Sequence, residues 1–195
     1  MNMYRHFLGK GLNRSEKIQK WVVDLLLTTK IGNDKRESSV AWELKHSSGV
    51  IQLARLLAEK RGLDPEIAEI IAALHDIHVI MNGDYEGHAR KGAEIARKKL
   101  KESGEFSEKE INVICNAIVN HSDKHICSKD QYSELAKDAD TLDCFLYGET
   151  IYDYKPEEMR KEYFRRIIRI RRELGLPEKT YFRKELKRLE EKFRK

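Results

Sequence analysis

The sequence predicts an all-α fold, and three observations lead to that prediction. Charged residues make up 36% of the 195 residues and only three residues are proline, a composition that favours helices over strands. Apolar residues recur at the three- and four-residue spacing of helices along most of the chain. Residues typical of helix starts and stops separate these segments, and no segment shows the alternation expected of a strand.

The first two helices are predicted from their caps. Asn13 or Ser15 can accept a hydrogen bond from the free backbone N–H groups of a helix start, and the apolar spacing that follows continues to about Thr29. A polar stretch with turn residues comes next. The second helix is expected over residues 39–61, because Gly62 is a typical helix stop.

The later helices carry similar signals. Asp64 and Pro65 are typical of a cap and the first helical position, and this third helix is predicted to continue to about Val79. Ser107 and Glu110 form a capping box, in which each side chain satisfies a backbone N–H of the other residue. The remaining helices before the tail are expected at about residues 88–103, 107–121 and 131–147.

The tail differs from the rest of the chain in charge. Residues 156–195 carry 15 Lys or Arg and 8 Asp or Glu, in a chain whose net charge is +5. We therefore divide the chain into a helical domain at residues 1–155 and a basic C-terminal helical extension at residues 156–195. Gly175 and Pro177 split the extension into two helices. The first is expected to pack on the body through an apolar stripe of Tyr163, Ile167, Ile170 and Leu174.

Composition also excludes several classes of protein. No run approaches the ~18 apolar residues of a membrane-spanning helix, so we expect no membrane partner. The N-terminal residues lack the apolar run and cleavage pattern of a signal peptide. The three cysteines (Cys115, Cys127 and Cys144) are odd in number and widely spaced, which favours reduced thiols over disulfides or a thiolate zinc site. These features predict a cytoplasmic protein.

Polar residues with metal-binding side chains fall on the apolar faces of the predicted helices. His46, His75, His121 and Asp140 all occupy such positions. Burying an unpaired carboxylate costs roughly several kcal/mol, and a buried imidazole also needs a partner. A single buried histidine is usually an ordinary core residue, but the recurrence on successive helices indicates a shared partner. A divalent cation satisfies imidazoles and carboxylates together.

The order of these residues resembles the HD superfamily of metal-dependent phosphohydrolases. His46, the pair His75-Asp76, and Asp140 in DADTLD match the family's four ligand positions. The segment HARKGAEIA resembles the stretch that follows the HD pair, and IVNHSD resembles the later histidine. The resemblance covers about residues 40–150, and it implies an HD-domain helical bundle with the metal between the helices.

The resemblance also implies a ligand set for one or two divalent ions. Members with only the H, HD and D positions hold one ion. Members with two further histidines, here His88 and His121, can hold two, with Asp76 bridging them. The alternative is that these two histidines face the substrate phosphate. The metal is left open among Mn, Fe, Co, Ni, Zn and Mg. The full predicted ligand set is His46, His75, Asp76, His88, His121 and Asp140.

The function implied is hydrolysis of a phosphate ester or anhydride by a metal-activated water. The substrate is expected to be a small phosphorylated molecule, and the resemblance favours a nucleotide. The predicted catalytic residues are Asp76, His88, His121 and Lys91, the last as a cation for phosphate. Accessory positions are Asp143, expected to orient a ligand, and Gly92, expected to permit close helix approach. His78 and His125 are interpreted as ordinary residues.

Two other functions are compatible with the sequence. Some HD-fold proteins with the six-residue set hold two irons and activate oxygen, and this chemistry suits histidine-rich sites. A non-catalytic module that binds nucleic acid through the basic extension is the other alternative. It is less favoured because the extension has few aromatic residues for stacking and its acidic residues are interleaved with the basic ones. A homodimer is left open.

Overall fold

The structure is a computed structural model that describes residues 10–147 and 155–177. Within these ranges all regular elements are helical, which confirms the predicted all-α fold. None of the described helices combines the length and the apolar character needed to cross a bilayer. The predicted helix after Pro177 lies outside the described residues. The described α-helices are α1 (Arg14–Thr28), α2 (Val40–Arg61), α3 (Pro65–Leu74), α4 (Ile77–Asn82), α5 (His88–Ser103), α6 (Glu108–Asn120), α7 (Gln131–Tyr147) and α8 (Glu157–Glu173).

Local capping accounts for where several helices begin. The Asn13 side chain accepts from the backbone N–H of Glu16, whose own side chain accepts from the backbone of Asn13. Ser107 and Glu110 form the same reciprocal arrangement at the start of α6. The Asp64 side chain caps α3. These starts follow from short-range hydrogen bonds, and for this reason the sequence predicted them.

The third predicted helix is divided in two. Instead of continuing to residue 79, α3 ends at Leu74 and α4 begins at Ile77. The backbone of Asp76 leaves helical geometry, with φ −105° and ψ 22°. No proline, glycine or side-chain cap marks this break in the sequence. The turn places the consecutive residues His75 and Asp76 at the junction of the two helices.

The helices pack around one apolar core, with α2 lying against both α3 and α7. The pair α5 and α6 lies against the same bundle, through contacts with α3, α4 and α7. The core cluster includes Leu57, Ile70, Leu74 and Ile118, which have no exposed surface. This arrangement brings the second turn of α2, the α3–α4 junction, the start of α5, the end of α6 and the middle of α7 to one place.

The first helix of the C-terminal extension, α8, packs against α7. Ile167 and Ile170 are buried and belong to the same core cluster as the body, as the stripe in the sequence predicted. Arg61 of α2 links the two parts by pairing with Asp138 of α7 and Glu173 of α8. The core is continuous between the body and α8. The division into two units at residue 155 stays a prediction.

Candidate metal centre

The six predicted ligand residues converge in one cluster. Five of them are buried, and His88 is partly buried. The members are His46 from the second turn of α2, His75 and Asp76 from the α3–α4 junction, His88 from the start of α5, His121 from the end of α6, and Asp140 from α7.

The Asp76 carboxylate lies between two pairs of histidines. Its Oδ2 is 3.8 Å from Nε2 of His46 and 3.3 Å from Nε2 of His75. Its Oδ1 is 3.5 Å from Nε2 of His88 and 3.4 Å from Nε2 of His121. Within each pair the two Nε2 atoms are 3.2 Å apart. Each carboxylate oxygen therefore faces one pair, and Oδ1 is buried without a hydrogen-bond partner in the described part of the chain.

The other ring nitrogen of each histidine fixes its tautomer. In His75, His88 and His121, Nδ1 lies 2.7–2.9 Å from a backbone carbonyl three residues earlier. A carbonyl oxygen only accepts, so Nδ1 carries the proton and Nε2 of the neutral ring carries a lone pair. Two lone pairs that face each other cannot form a hydrogen bond. A proton or a metal cation between them removes the conflict, and metal-binding histidines usually donate their second ring nitrogen in this way.

The geometry of the cluster fits divalent cations. Ligand atoms that share one ion at about 2.1 Å lie roughly 3–3.5 Å apart, close to the separations found here. Ligand atoms of His46, His75 and Asp76 lie within 4.8 Å of one another, as do those of Asp76, His88 and His121. Imidazole with carboxylate suits several first-row metals. The donor set thus agrees with divalent metal binding and does not identify the element.

Asp140 joins the cluster from α7. Its Oδ1 is 3.6 Å from Nε2 of His46, and ligand atoms of His75 and His121 lie within reach of a shared ion. The sequence did not predict Cys144, whose thiol lies 3.5 Å from Asp140 Oδ1. Burial and the Asp140 carboxylate hold the pKa of this thiol well above its ordinary value. Cys144 is therefore a neutral thiol in the metal-free chain.

Charge in the cluster is balanced between carboxylates and imidazoles. Burial lowers the pKa of His75, but the adjacent Asp76 carboxylate more than compensates, and the resulting pKa is about 9. Burial alone would raise the pKa of Asp76, yet His75 and His121 hold it well below its ordinary value. The metal-free chain therefore keeps an ionised Asp76 beside a protonated His75 at neutral pH, and a metal ion would replace that proton.

Asp143 and Gly49 determine the orientation of His46. The Asp143 carboxylate lies 2.6 Å from Nδ1 of His46, in the orienting role that the sequence predicted for it. A Cβ at Gly49 would lie only 1.8 Å from Asp143 Oδ1, so this carboxylate needs a glycine on α2. Gly92, which the sequence singled out, is less critical. A Cβ there would meet Ile77 at 3.5 Å, an ordinary contact.

A cavity of about 690 Å³ opens beside the cluster. The Trp42 ring forms part of its wall and stacks on His46, with ring centroids 5.6 Å apart. Two cations, Lys124 and Lys155, also reach the cavity. The lining residues are Glu37, Ser38, Trp42, His46, Asp76, Tyr85, His88, His121, Ser122, Lys124, Asp140, Cys144, Lys155 and Tyr163.

Three further residues considered in the sequence lie outside the cluster. Lys91 does not line the cavity, and its ammonium is 3.9 Å from Asp84. A phosphate-binding role for Lys91 stays a prediction without support from these contacts. His78 interacts with Asp84 at 3.2 Å and accepts from Asn82, as expected of an ordinary residue. His125 lines a smaller, separate cavity.

Sequence reasoning missed two charged residues beside the cluster. Lys124 lies in the loop between α6 and α7, and its Nζ is 2.5 Å from Asp140 Oδ2. Glu43, one turn before His46, is fully buried and accepts from the Ser38 hydroxyl, while its Oε2 has no partner among the described residues. Burial and the nearby Asp76 raise the pKa of Glu43. The one sequence feature that could have indicated Glu43 was its position on the same face of α2 as His46.

Comparison with known proteins gives one family and several partial relatives. The HD domain family model matches residues 44–144. Ribonuclease Y of Clostridium kluyveri is 42% identical over 98 residues, which is 49% of this chain and 17% of that protein. Ribonuclease Y of Opitutus terrae is 34% identical over 100 residues, 51% of this chain and 17% of the relative. The chain thus spans less than a fifth of these relatives. No solved structure gave a significant match.

Proposed function

This chain belongs to the HD domain family, and on that premise we propose that it is a metal-dependent phosphohydrolase acting on a nucleotide. One observation carries the proposal. The Asp76 carboxylate presents one oxygen to the pair His46–His75 and the other to the pair His88–His121. This is the arrangement expected of a carboxylate that bridges two ions.

The proposed ligand sets follow from this arrangement. One ion would be held by His46, His75, Asp76 and Asp140, and a second by Asp76, His88 and His121. A divalent cation bound there would polarise a phosphoryl oxygen and activate a water molecule as the nucleophile. Mn, Fe, Co, Ni, Zn and Mg all remain candidates for the element.

The residues of the chain have separate tasks in this proposal. Asp143 holds the His46 ring through Nδ1, so that Nε2 points toward Asp76. Backbone carbonyls hold the rings of His75, His88 and His121 in the same way, each by accepting a hydrogen bond from Nδ1. Because these partners are already in place, the ligands need little reorganisation when they bind an ion. The partly buried His88 is also placed to face a substrate in the cavity.

The cavity supports a substrate of nucleotide size. Its volume of about 690 Å³ is in the range of sites for small organic ligands. Trp42, Tyr85 and Tyr163 supply aromatic surface that can contact a base. The name of the relatives, Ribonuclease Y, supports a second candidate substrate, a phosphodiester of RNA.

Two measurements on the purified full chain test the proposal. With added Mn²⁺, Co²⁺ or Mg²⁺, it should release phosphate or pyrophosphate from a nucleotide, or shorten an oligoribonucleotide. Elemental analysis should find one or two ions in the wild type and a loss of metal in Asp76→Ala. His78→Ala is the matched control, because this buried histidine one turn away interacts with Asp84 instead of the cluster.

The results separate the alternatives. If the metal-loaded protein leaves every nucleotide and the oligoribonucleotide intact, the proposed hydrolase activity is refuted. Two irons per chain with visible absorption in aerobically purified protein would favour the oxygenase. A salt-sensitive shift of nucleic acid without cleavage would favour the binding module.

A further inference from the structure

Part of the cavity wall lies outside the segment that matches the family. The family match ends at residue 144, whereas Lys155 and Tyr163 line the same cavity as the histidine–aspartate cluster. Tyr163 is a buried residue of α8. Tyr163 of the C-terminal extension, and Lys155 immediately before it, therefore contribute directly to the surface that a substrate would contact.

Lys124 brings a positive charge to the edge of the cluster. Its side chain is 15% exposed, and its ammonium is 2.5 Å from Asp140 Oδ2. The other oxygen of Asp140 faces His46 at 3.6 Å. An ammonium has three N–H donors, and Asp140 accepts from one of them. Lys124 can therefore keep its bond to Asp140 and still donate to an oxygen of a molecule in the cavity.

Lys155 adds a second positive charge nearby. Burial lowers the pKa of Lys155, and the positive charge of Lys124 lowers it further. Two ammonium groups at one partly buried cavity repel each other, and water screens them less than it would at an open surface. An anion bound in the cavity would reduce this repulsion and pair with both groups.

α8 also holds Lys124 in place. The Arg166 side chain is only 3% exposed, and its Nε donates to the backbone carbonyl of Lys124 at 3.1 Å. Its guanidinium is fixed in turn by Glu134 at 2.8 Å and Asp138 at 2.5 Å, both on α7. Arg166 thus ties the loop that carries Lys124 to the packed pair α7 and α8.

We propose that Lys124 and Lys155 form a subsite for a dianionic phosphate group of the substrate, and that Arg166 is a positioning residue for Lys124. The inference rests on the proposed function, since it concerns the same cavity. Two cations match a dianionic phosphate, and each contributes a charge-assisted hydrogen bond. Lys155, the last residue before the C-terminal extension, then recognises phosphate directly, and the extension contributes through Arg166.

The binding test uses inorganic phosphate and the full chain loaded with Mn²⁺. Calorimetry should show phosphate binding weakened by about tenfold or more in Lys124→Ala and in Lys155→Ala. Lys129→Ala, an exposed lysine of the same loop, should bind phosphate as the wild type does. Equal phosphate affinity in all four proteins would overturn the subsite. Metal content is measured in each protein, because Lys124 touches a proposed ligand.

A second comparison tests the positioning role of Arg166. Arg166→Gln should weaken phosphate binding, whereas Arg169→Gln removes an ion pair to the same Asp138 without touching Lys124 and should not. If the two substitutions weaken phosphate binding equally and lower the melting temperature equally, Arg166 has no positioning role and α8 has only a structural one.

The outcomes distinguish this inference from the proposed function. A wild type that hydrolyses nucleotides, with lysine variants that bind phosphate normally, overturns only the subsite. A wild type that hydrolyses nothing yet binds phosphate through the two lysines overturns the hydrolase and retains the subsite.

Discussion

Replacing Gly49 by alanine should weaken metal binding without unfolding the protein. The new Cβ would lie 1.8 Å from Oδ1 and 2.7 Å from Cγ of Asp143, so the carboxylate must move. Its movement breaks the 2.6 Å contact with Nδ1 of His46. Loss of such an orienting partner typically reduces metal affinity about 10- to 100-fold.

The effect on folding should be smaller, because two contributions oppose each other. Breaking a charge-assisted hydrogen bond costs about 1.5–3 kcal/mol. Gly49 lies inside α2, where alanine favours the helix by about 1 kcal/mol. The metal-free variant should therefore lose no more than about 2 kcal/mol of stability. Ser48→Ala, at the exposed neighbouring position, is the matched control for helix propensity.

Competition with a chelator measures the metal affinity, and urea unfolding measures the stability. In an Asp143→Ala background, Gly49→Ala should cause no further loss of affinity, since the displaced group is already absent. Wild-type metal affinity in Gly49→Ala would refute the reasoning. So would losses of affinity that add in the double variant.

Three further predictions concern stability. The pKa of His75 is about 9 in the folded metal-free chain against 6.5 ordinarily, so its contribution is complete below pH 6.5 and lost as the pH rises through 9. Urea unfolding of the metal-free chain should show a decrease of up to about 3 kcal/mol over that range; a flat profile would contradict it. Leu74→Ala should cost about 2–5 kcal/mol by the same assay, because Leu74 has no exposed surface. Ser107→Ala should cost only about 1 kcal/mol through loss of the α6 cap, and a cost as large as that of Leu74→Ala would be inconsistent with this account.

The parts of the fold that the sequence predicted are those fixed by short-range interactions. Asn13 with Glu16, and Ser107 with Glu110, satisfy backbone groups within one helical turn, so their pattern is visible in the chain itself. The break at Asp76 was not predictable in this way. Apart from His75, Asp76 and His78 the segment around it is apolar, and it lacks proline and glycine, so only the packed bundle and the converging histidines explain the turn.

The same distinction holds for the candidate site. The convergence of the six candidate ligand residues was predictable because histidine and aspartate on apolar faces are unusual and because their order resembles a known family. The place of Lys124 beside the cluster was not predictable, since this residue lies in an irregular loop without periodicity. Its importance is evident only from its contact with Asp140. Glu43 lies on the same face of α2 as His46, but a glutamate on a helix is usually exposed, and its burial with hydrogen bonds from Ser38 and Tyr85 is evident only in the fold.

The junction of α8 with α7 bears on how this protein can be divided for experiments. A fragment cut at residue 144, where the family match ends, would uncover the apolar surface under Ile167 and Ile170. It would also strip Asp138, a buried carboxylate, of its partners Arg166 and Arg169. Such a fragment should aggregate when expressed, and we expect the smallest unit that folds to extend beyond the segment that matches the family and to include α8.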